Sequence, residues 1–316
     1  MTQRLDMMSE RTNAKPSFDV LGDVLEALRF RGTIFFRSTL AAPWGFSLDA
    51  GRVPRFHIAI TGNFFVSPLE TDSPVEIREM GVAILPNGSA HWIADRPGRQ
   101  LVPSTQASMA CELGKPLYQQ GQITNSLMCG VVSFDNQVTH PLLSALPEVI
   151  HIPHIDTASP IWRLVELIDG EVSRSASLNS TAIDRLSEVL FMKLLQESVQ
   201  ETGEATGFIV ALRDRRLLKA LQSMHQDMQK DWTVEGLAHH AGMSRSTLIR
   251  HFRETVGIPP IEYLMQWRLL KAHSLLKYSS HPLEVIAEQV GFASGQTLAK
   301  AFKRRYGYTP TSLRHQ

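Results

Sequence analysis

The chain has 316 residues, 43% of them hydrophobic and 20% charged, with two cysteines; such a chain can build two or more cores and does not depend on a disulfide framework. No apolar run approaches the ~18 residues of a membrane span, and the N-terminal MTQRLDMMSERTNAKPS lacks a signal-peptide apolar stretch, so a cytoplasmic protein without membrane attachment is expected. The net charge of +1 conceals an asymmetry: residues 208–316 hold 16 Lys and Arg against 8 Asp and Glu, whereas residues 1–207 hold 16 against 23, so the C-terminal third is the part suited to a polyanion.

In chain order, residues 1–16 read as a disordered tail. From Gly32 to Phe134 short apolar runs are broken by Gly, Pro and Asn, and IFFRSTL, RFHIAITG, FFVS, VEIREM, VAILP and HWIAD are predicted strands. Alternation at Phe56, Ile58 and Ile60, and at Val75 and Ile77, predicts an all-β barrel or sandwich with one buried face, within a domain spanning residues 17–155. Gly81, Pro86, Gly88 and His91 form G-x4-P-x-G-x2-H. With PWGF, FH, PNGSAHWIAD and MCGVVSFDNQVTHPLLSALP, that motif resembles the cupin barrel that serves as a sensory domain.

The resemblance raises the question of a metal, because metal-binding cupins supply an H-x-H pair and a Glu besides the His of their second motif. Here RFHIAITG offers His57 alone and His91 is the other barrel histidine; two ligands make a poor site. No metal or other cofactor is therefore expected, and the barrel is read as the binding domain for a small-molecule effector. A cupin metalloenzyme with an appended helical module is the competing function, and stoichiometric bound metal with turnover would mark it. Barrel mouths are common ligand sites, which nominates Arg37, Trp44, His57, His91 and Trp92 as pocket or rim residues, against the alternative that the tryptophans merely pack and Arg37 is solvated. Cys111 and Cys129 are candidate redox thiols, against the commoner buried, unreactive cysteine.

Residues 156–207 are expected to be a helical segment. PIWRLVELIDGEVS and TAIDRLSEVLFMKLLQESVQ predict two amphipathic helices, and the stripe Ile183, Leu186, Leu190 and Leu194 requires an apolar partner. Homodimerisation through residues 159–200 is the expected use, with packing on the chain's own barrel as the alternative. Glu201 to Gly207, ETGEATG, reads as a linker.

Residues 208–316 contain an internal repeat. Glu235, Ala238 and Gly242 recur as Glu284, Ala287 and Gly291, and then Ser244, Thr247, Leu248, Phe252, Gly257 and Pro260 recur as Ser294, Thr297, Leu298, Phe302, Gly307 and Pro310. Small alanines allow close helix approach, glycines end a helix at positive φ, serines cap the next one, and the Leu/Phe pairs at i, i+4 form an inward stripe. This predicts two helix-turn-helix units, at 233–255 and 283–305. The opposite faces carry Ser246, Arg250 and Arg253 in one copy and Gln296, Lys300 and Lys303 in the other, side chains that a DNA major groove accepts. Between the copies Ile261 to Lys277 predicts one helix of roughly 25 Å, a spacer suited to two readers one DNA turn apart.

Over Leu217 to Arg314 these residues resemble the AraC/XylS family of bacterial transcription regulators, through LAHHAGMSRSTLIRHF, GIPPIEYLMQWRLLKAHSLL, IAEQVGFAS and AFKRRYGYTPTSLR. The resemblance implies base contacts by Ser246, Ile249 and Arg250 from the first recognition helix and by Gln296, Thr297 and Lys300 from the second. It also implies double-stranded promoter DNA and RNA polymerase as partners, and activation as the regulatory sense. The expected architecture is α+β multidomain: an all-β cupin-like barrel, a helical segment and an all-α tandem helix-turn-helix domain.

Overall fold

The computed structural model describes residues 19–28, 31–51, 53–71, 73–113, 115–133, 146–175, 180–200 and 207–314. The expected tail at 1–16 and most of the expected linker, residues 201–206, lie outside them.

A helix α1 (Val20–Ala27) precedes the barrel strands β1 (Arg31–Ala41), β2 (Gly45–Leu48), β3 (Arg55–Thr61), β4 (Phe64–Pro68), β5 (Val75–Ile77), β6 (Val82–Leu85), β7 (His91–Ala94) and β8 (Val102–Pro103). Helix α2 (Ser104–Glu112) and strands β9 (Ile123–Ser133) and β10 (Ile150–Ile152) follow. The strands form two five-stranded sheets, ordered β1-β9-β3-β6-β10 and β5-β4-β7-β2-β8. All pairings are antiparallel except β2 with β8. Side chains from the inner faces of both sheets, among them Leu40, Phe46, Leu48, Phe64, Val66, Leu85, Ile93 and Leu127, make the barrel core.

The first sheet corrects the expectation of one buried face. In β3, His57 and Ala59 face the barrel core while Phe56 and Ile58 are fully buried on the opposite side. What covers that side is a helical layer of α3 (Pro160–Ser175) and α4 (Thr181–Gln200). Ile183, Leu190 and Leu194 have no exposed surface, Leu186 is partly buried, and the ring of Phe191 lies 6.4 Å from that of Phe56. The stripe assigned to homodimerisation is thus covered by the chain's own sheet, because burying it there also covers the apolar outer face of β3 and β6.

The C-terminal part comprises α5 (Phe208–Arg213), α6 (Arg215–Gln226), α7 (Val234–Ala241), α8 (Arg245–Val256), α9 (Pro260–Tyr278), α10 (Leu283–Gln289), α11 (Gly295–Tyr306) and α12 (Pro310–Arg314). The first helix-turn-helix shares one continuous core with the helical layer, running from Val24 and Phe56 through Phe191 and Phe208 to Leu248, Phe252 and Trp267. The second has its own core around Ile286, Leu298 and Phe302. Helix α9 contributes to both: Tyr263, Leu264, Trp267 and Leu270 enter the first, and Leu269, Ala272 and Leu276 the second.

Helix α1 joins the two halves. The Asp23 carboxylate accepts from Lys271 Nζ at 2.5 Å and lies 2.8 Å from Nδ1 of His225, whose Nε2 meets the Tyr263 hydroxyl at 2.7 Å. Burial opposes ionisation of Asp23, but the hydrogen bonds from His225 and Lys271 prevail and hold its pKa below the ordinary carboxylate value. Burial also lowers the pKa of His225, against the pull of Asp23. Among the described residues no helix is long and apolar enough to cross a membrane.

Candidate nucleic-acid interface and barrel cavity

Each helix-turn-helix is built by the residues its repeat supplies. Helix α7 begins on the Thr233 hydroxyl, which accepts from Gly236 N at 3.1 Å, and ends at Gly242 with φ 66°. Two residues later the Ser244 hydroxyl accepts from Thr247 N at 3.2 Å and starts α8. In the second unit Gly291 (φ 81°) follows α10, and Ser294 accepts from Thr297 N at 3.2 Å to start α11. Leu248 and Phe252, and Leu298 and Phe302, are fully buried.

The opposite faces are then necessarily outward. Ser246, Arg250 and Arg253 on α8, and Gln296, Thr297, Lys300 and Lys303 on α11, are exposed; Ile249 is half-buried. Arg250, Arg253, Lys300 and Lys303 form no ion pair among the described residues, so their charge is available to an outside partner. Thr297 is less free: its hydroxyl lies 3.0 Å from that of Ser294, in the helix cap. The copies also differ at the first residue of the outward helix. Arg245 pairs with Glu235 at 2.6 Å, whereas at the matching place a Cβ on Gly295 would stand 2.7 Å from the Glu284 carboxylate. Arg304 and Arg305 extend the exposed cationic surface at the end of α11, and their signal is the basic run KRR at 303–305.

In the barrel, Phe35, Phe36, Phe46, Leu48, His57, Ile93, Ser104, Ala107, Ser108 and Cys129 line a cavity of about 20 Å³. Of the five nominated pocket residues, His57 alone reaches its wall. His91 stands directly behind, its Nε2 2.8 Å from His57 Nε2. Trp44 belongs to the barrel core, where its Nε1 donates to Asn125 Oδ1 at 3.0 Å. Arg37 and Trp92 are corrections. Arg37 pairs with Asp169 of α3, outside the barrel, and Trp92 lies between His91 and Ile93 on β7, so strand alternation turns it away from the cavity.

The buried polar groups at the wall form one directed chain. His91 Nδ1 donates to the Ser89 carbonyl oxygen at 2.7 Å, which leaves its Nε2 to accept from His57 Nε2. His57 Nδ1 then accepts from the Cys129 thiol at 3.0 Å. Burial is the main cause of each pKa shift here: His57 is held well below its ordinary value, His91 falls to about 4, and the Cys129 thiol is pushed up. All three groups are neutral at pH 7. Because the two nitrogens of His57 point in opposite directions, His91, His57 and Cys129 do not converge, and among the described residues no three His, Cys, Asp or Glu side chains are placed to hold a metal ion. Cys129, buried and without a cation beside it, is disfavoured as a thiolate. Cys111 belongs to α2.

A basic tandem helix-turn-helix module packed onto a β-barrel with an internal cavity is the architecture of a DNA-binding transcription regulator. Residues 19–200 match a cupin family and residues 237–316 a helix-turn-helix family. Among similar proteins, a transcriptional regulator of Haemophilus influenzae is 31% identical over 302 residues, covering 94% of this chain and 98% of that one. An AraC-like transcription regulator of Streptomyces lividans is 29% identical with the same coverage. A crystal structure of an AraC-type DNA-binding domain protein from Chromobacterium violaceum aligns with 32% of this chain and 90% of its own at 28% identity, with a TM-score of 0.31. The chain belongs to the AraC-type transcription regulators that carry an N-terminal cupin domain.

Proposed function

We propose that this regulator binds promoter DNA through the outward faces of α8 and α11, in two successive major grooves, and that a small molecule taken up by the cupin barrel controls it. The observation that carries the reading is the pair of unpaired cations, Arg250 and Lys300, at equivalent outward positions of the repeat. Ser246, Ile249 and Arg250 read bases from α8, and Gln296, Thr297 and Lys300 from α11, with Arg253 and Lys303 on the flanking phosphates. The protein acts in the cytoplasm and recruits RNA polymerase as an activator; support for activation comes from relatives in Escherichia coli and Salmonella that are transcriptional activators. It is not an enzyme, a reading supported by relatives that are transcription regulators.

Arginine pairs bidentately with guanine in the major groove, so Arg250→Ala is expected to lose about 1–3 kcal/mol of binding and to relax specificity at one base position. Lys300→Ala is expected to relax specificity at one base position of the second half-element, whereas a contact with phosphate alone would weaken all sequences alike and reduce the salt slope by about 0.9. Titration of a base-by-base operator series with both folded variants decides it; wild-type affinity and specificity in both would defeat the model. Homodimerisation is proposed through the outer faces of α3 and α4, where Leu167 and Val189 stay exposed. Sedimentation of the full chain at about tens of micromolar tests it, and a strict monomer there rejects it.

A further inference from the structure

Resting on the reading of the barrel as the sensor, we propose that the effector is a small uncharged molecule with an aromatic or branched apolar body and one hydrogen-bonding group, admitted by displacement of α2.

The wall sets the chemistry. Phe35 and Phe36 are neighbours in β1 that both reach the cavity, because a register shift between Ile34 and Phe36 breaks the alternation and turns two consecutive rings the same way. With Phe46, Leu48 and Ile93 they make an apolar, largely aromatic lining. None of the lining residues is charged. The one that could become a cation, His57, is held neutral, and both of its nitrogens are already committed, to His91 and Cys129. A carboxylate or phosphate would therefore enter without a counter-charge, which a buried site does not tolerate. A sugar would find too few partners for its hydroxyls. The polar groups not consumed by the His91-His57-Cys129 chain are the hydroxyls of Ser104 and Ser108, enough for a single alcohol, phenol or amide.

The same two serines identify the way in. In the closed state the cavity has room for roughly one water. Ser104, Ala107 and Ser108 form the inner face of α2, and they are the small residues of the wall. Among the described side chains of α2 only Ala107 is fully buried, whereas Met109 and the following Leu113 are 62% and 75% exposed. A helix anchored by so little apolar contact opens at small cost, and lifting it away from the wall enlarges the cavity. Ligand occupancy is thus coupled to the position of α2.

The test uses the full chain, with benzyl alcohol, benzoate and glucose as probes in isothermal calorimetry up to about 10 mM, a range suited to ligands of so few atoms. Benzyl alcohol is expected to bind and to change amide exchange in α2, while benzoate and glucose do not bind. Ser108→Phe, which fills the cavity from α2, is expected to weaken benzyl alcohol at least about tenfold. Phe36→Ala, which widens the cavity, is expected to strengthen binding of 2-naphthylmethanol about tenfold over wild type, a gain that misfolding cannot produce. Binding of benzoate or glucose that Ser108→Phe abolishes would overturn the ligand class and leave the barrel as the sensor. Benzyl alcohol binding indifferent to both variants would overturn the site, and no binding by any probe would overturn the class. The sensor reading itself falls if folded Ser108→Phe and Phe36→Ala both leave transcription from a promoter the protein regulates at the wild-type level, with and without benzyl alcohol.

Discussion

His57 is held in one tautomer by partners on both sides, and that arrangement ties the barrel's stability to pH. His91 has a folded pKa of about 4 against an ordinary value of 6.5, and His57 is depressed in the same direction. Between those values the folded protein binds fewer protons than the unfolded chain, so the contribution is complete above about pH 6.5 and is lost as the pH falls toward 4. For His91 the loss is on the order of 3 kcal/mol. Urea unfolding from pH 7 down to about 4.5 is expected to show this decline, and His91→Gln to flatten it. Equal slopes in wild type and variant would mean that the ring does not titrate in this range. Both histidines can be read from the chain but their contact cannot, since His57 and His91 are 34 residues apart on strands of different sheets, and only the packing of one sheet on the other brings them together. Arg37 shows the same limit: alternation can say that a β1 residue faces outward, but its partner Asp169 lies in a helix 132 residues away.

The helix-turn-helix elements were legible because each is specified locally, by a cap, a glycine and an i, i+4 stripe within about twenty residues. The two turn glycines nevertheless predict different tolerances. Gly242 has open space where a Cβ would be, so Gly242→Ala meets only the left-handed backbone penalty, about 1 kcal/mol. A Cβ at Gly291 would stand 2.7 Å from the Met228 carbonyl oxygen and 2.9 Å from the Arg268 guanidinium, so Gly291→Ala is expected to cost about 2–3 kcal/mol. Thermal unfolding of both variants checks the order, and equal losses would contradict these geometries. By contrast β9, the strand that carries Cys129, was not legible as a strand. It is buried on both faces, so it lacks alternation, and at Gly130 an added Cβ would meet the Phe56 ring at 2.1 Å, which makes a glycine necessary inside a strand. Helix α1 escaped notice for a related reason: eight residues interrupted by Gly22 form a stable helix only against tertiary partners.

At the scale of the whole molecule, the sequence divides the chain into sensor, helical segment and DNA reader, while the structure runs one apolar core through all three. Asp23 is the polar counterpart of that continuity. Asp23→Ala removes the partner of both Lys271 and His225 at a largely buried site and is expected to cost about 3 kcal/mol. Asp23→Leu combined with Lys271→Met should recover much of it, since neither charge is then left alone. Denaturant unfolding of the three proteins decides this; a loss below about 1 kcal/mol in Asp23→Ala would show the contact to be incidental.

Helix α9 belongs to the cores of both helix-turn-helix units, and Arg268 on it donates to the carbonyl oxygens of Met228 and Lys230 at 2.7 and 2.8 Å. No free joint therefore separates the two recognition helices within one chain. Each base pair inserted between the two half-elements of an operator turns the distal one by about 34° around the duplex axis. A reader with a loose tether would absorb such an insertion; if this one occupies two grooves as proposed, it has to twist the DNA or release a groove. On the proposed two-groove reading, operator spacing is accordingly fixed to the base pair: an insertion of one whole helical turn restores the phase but separates the half-elements by a further ~34 Å, which α9 is too short to span, and binding to both is expected to be lost.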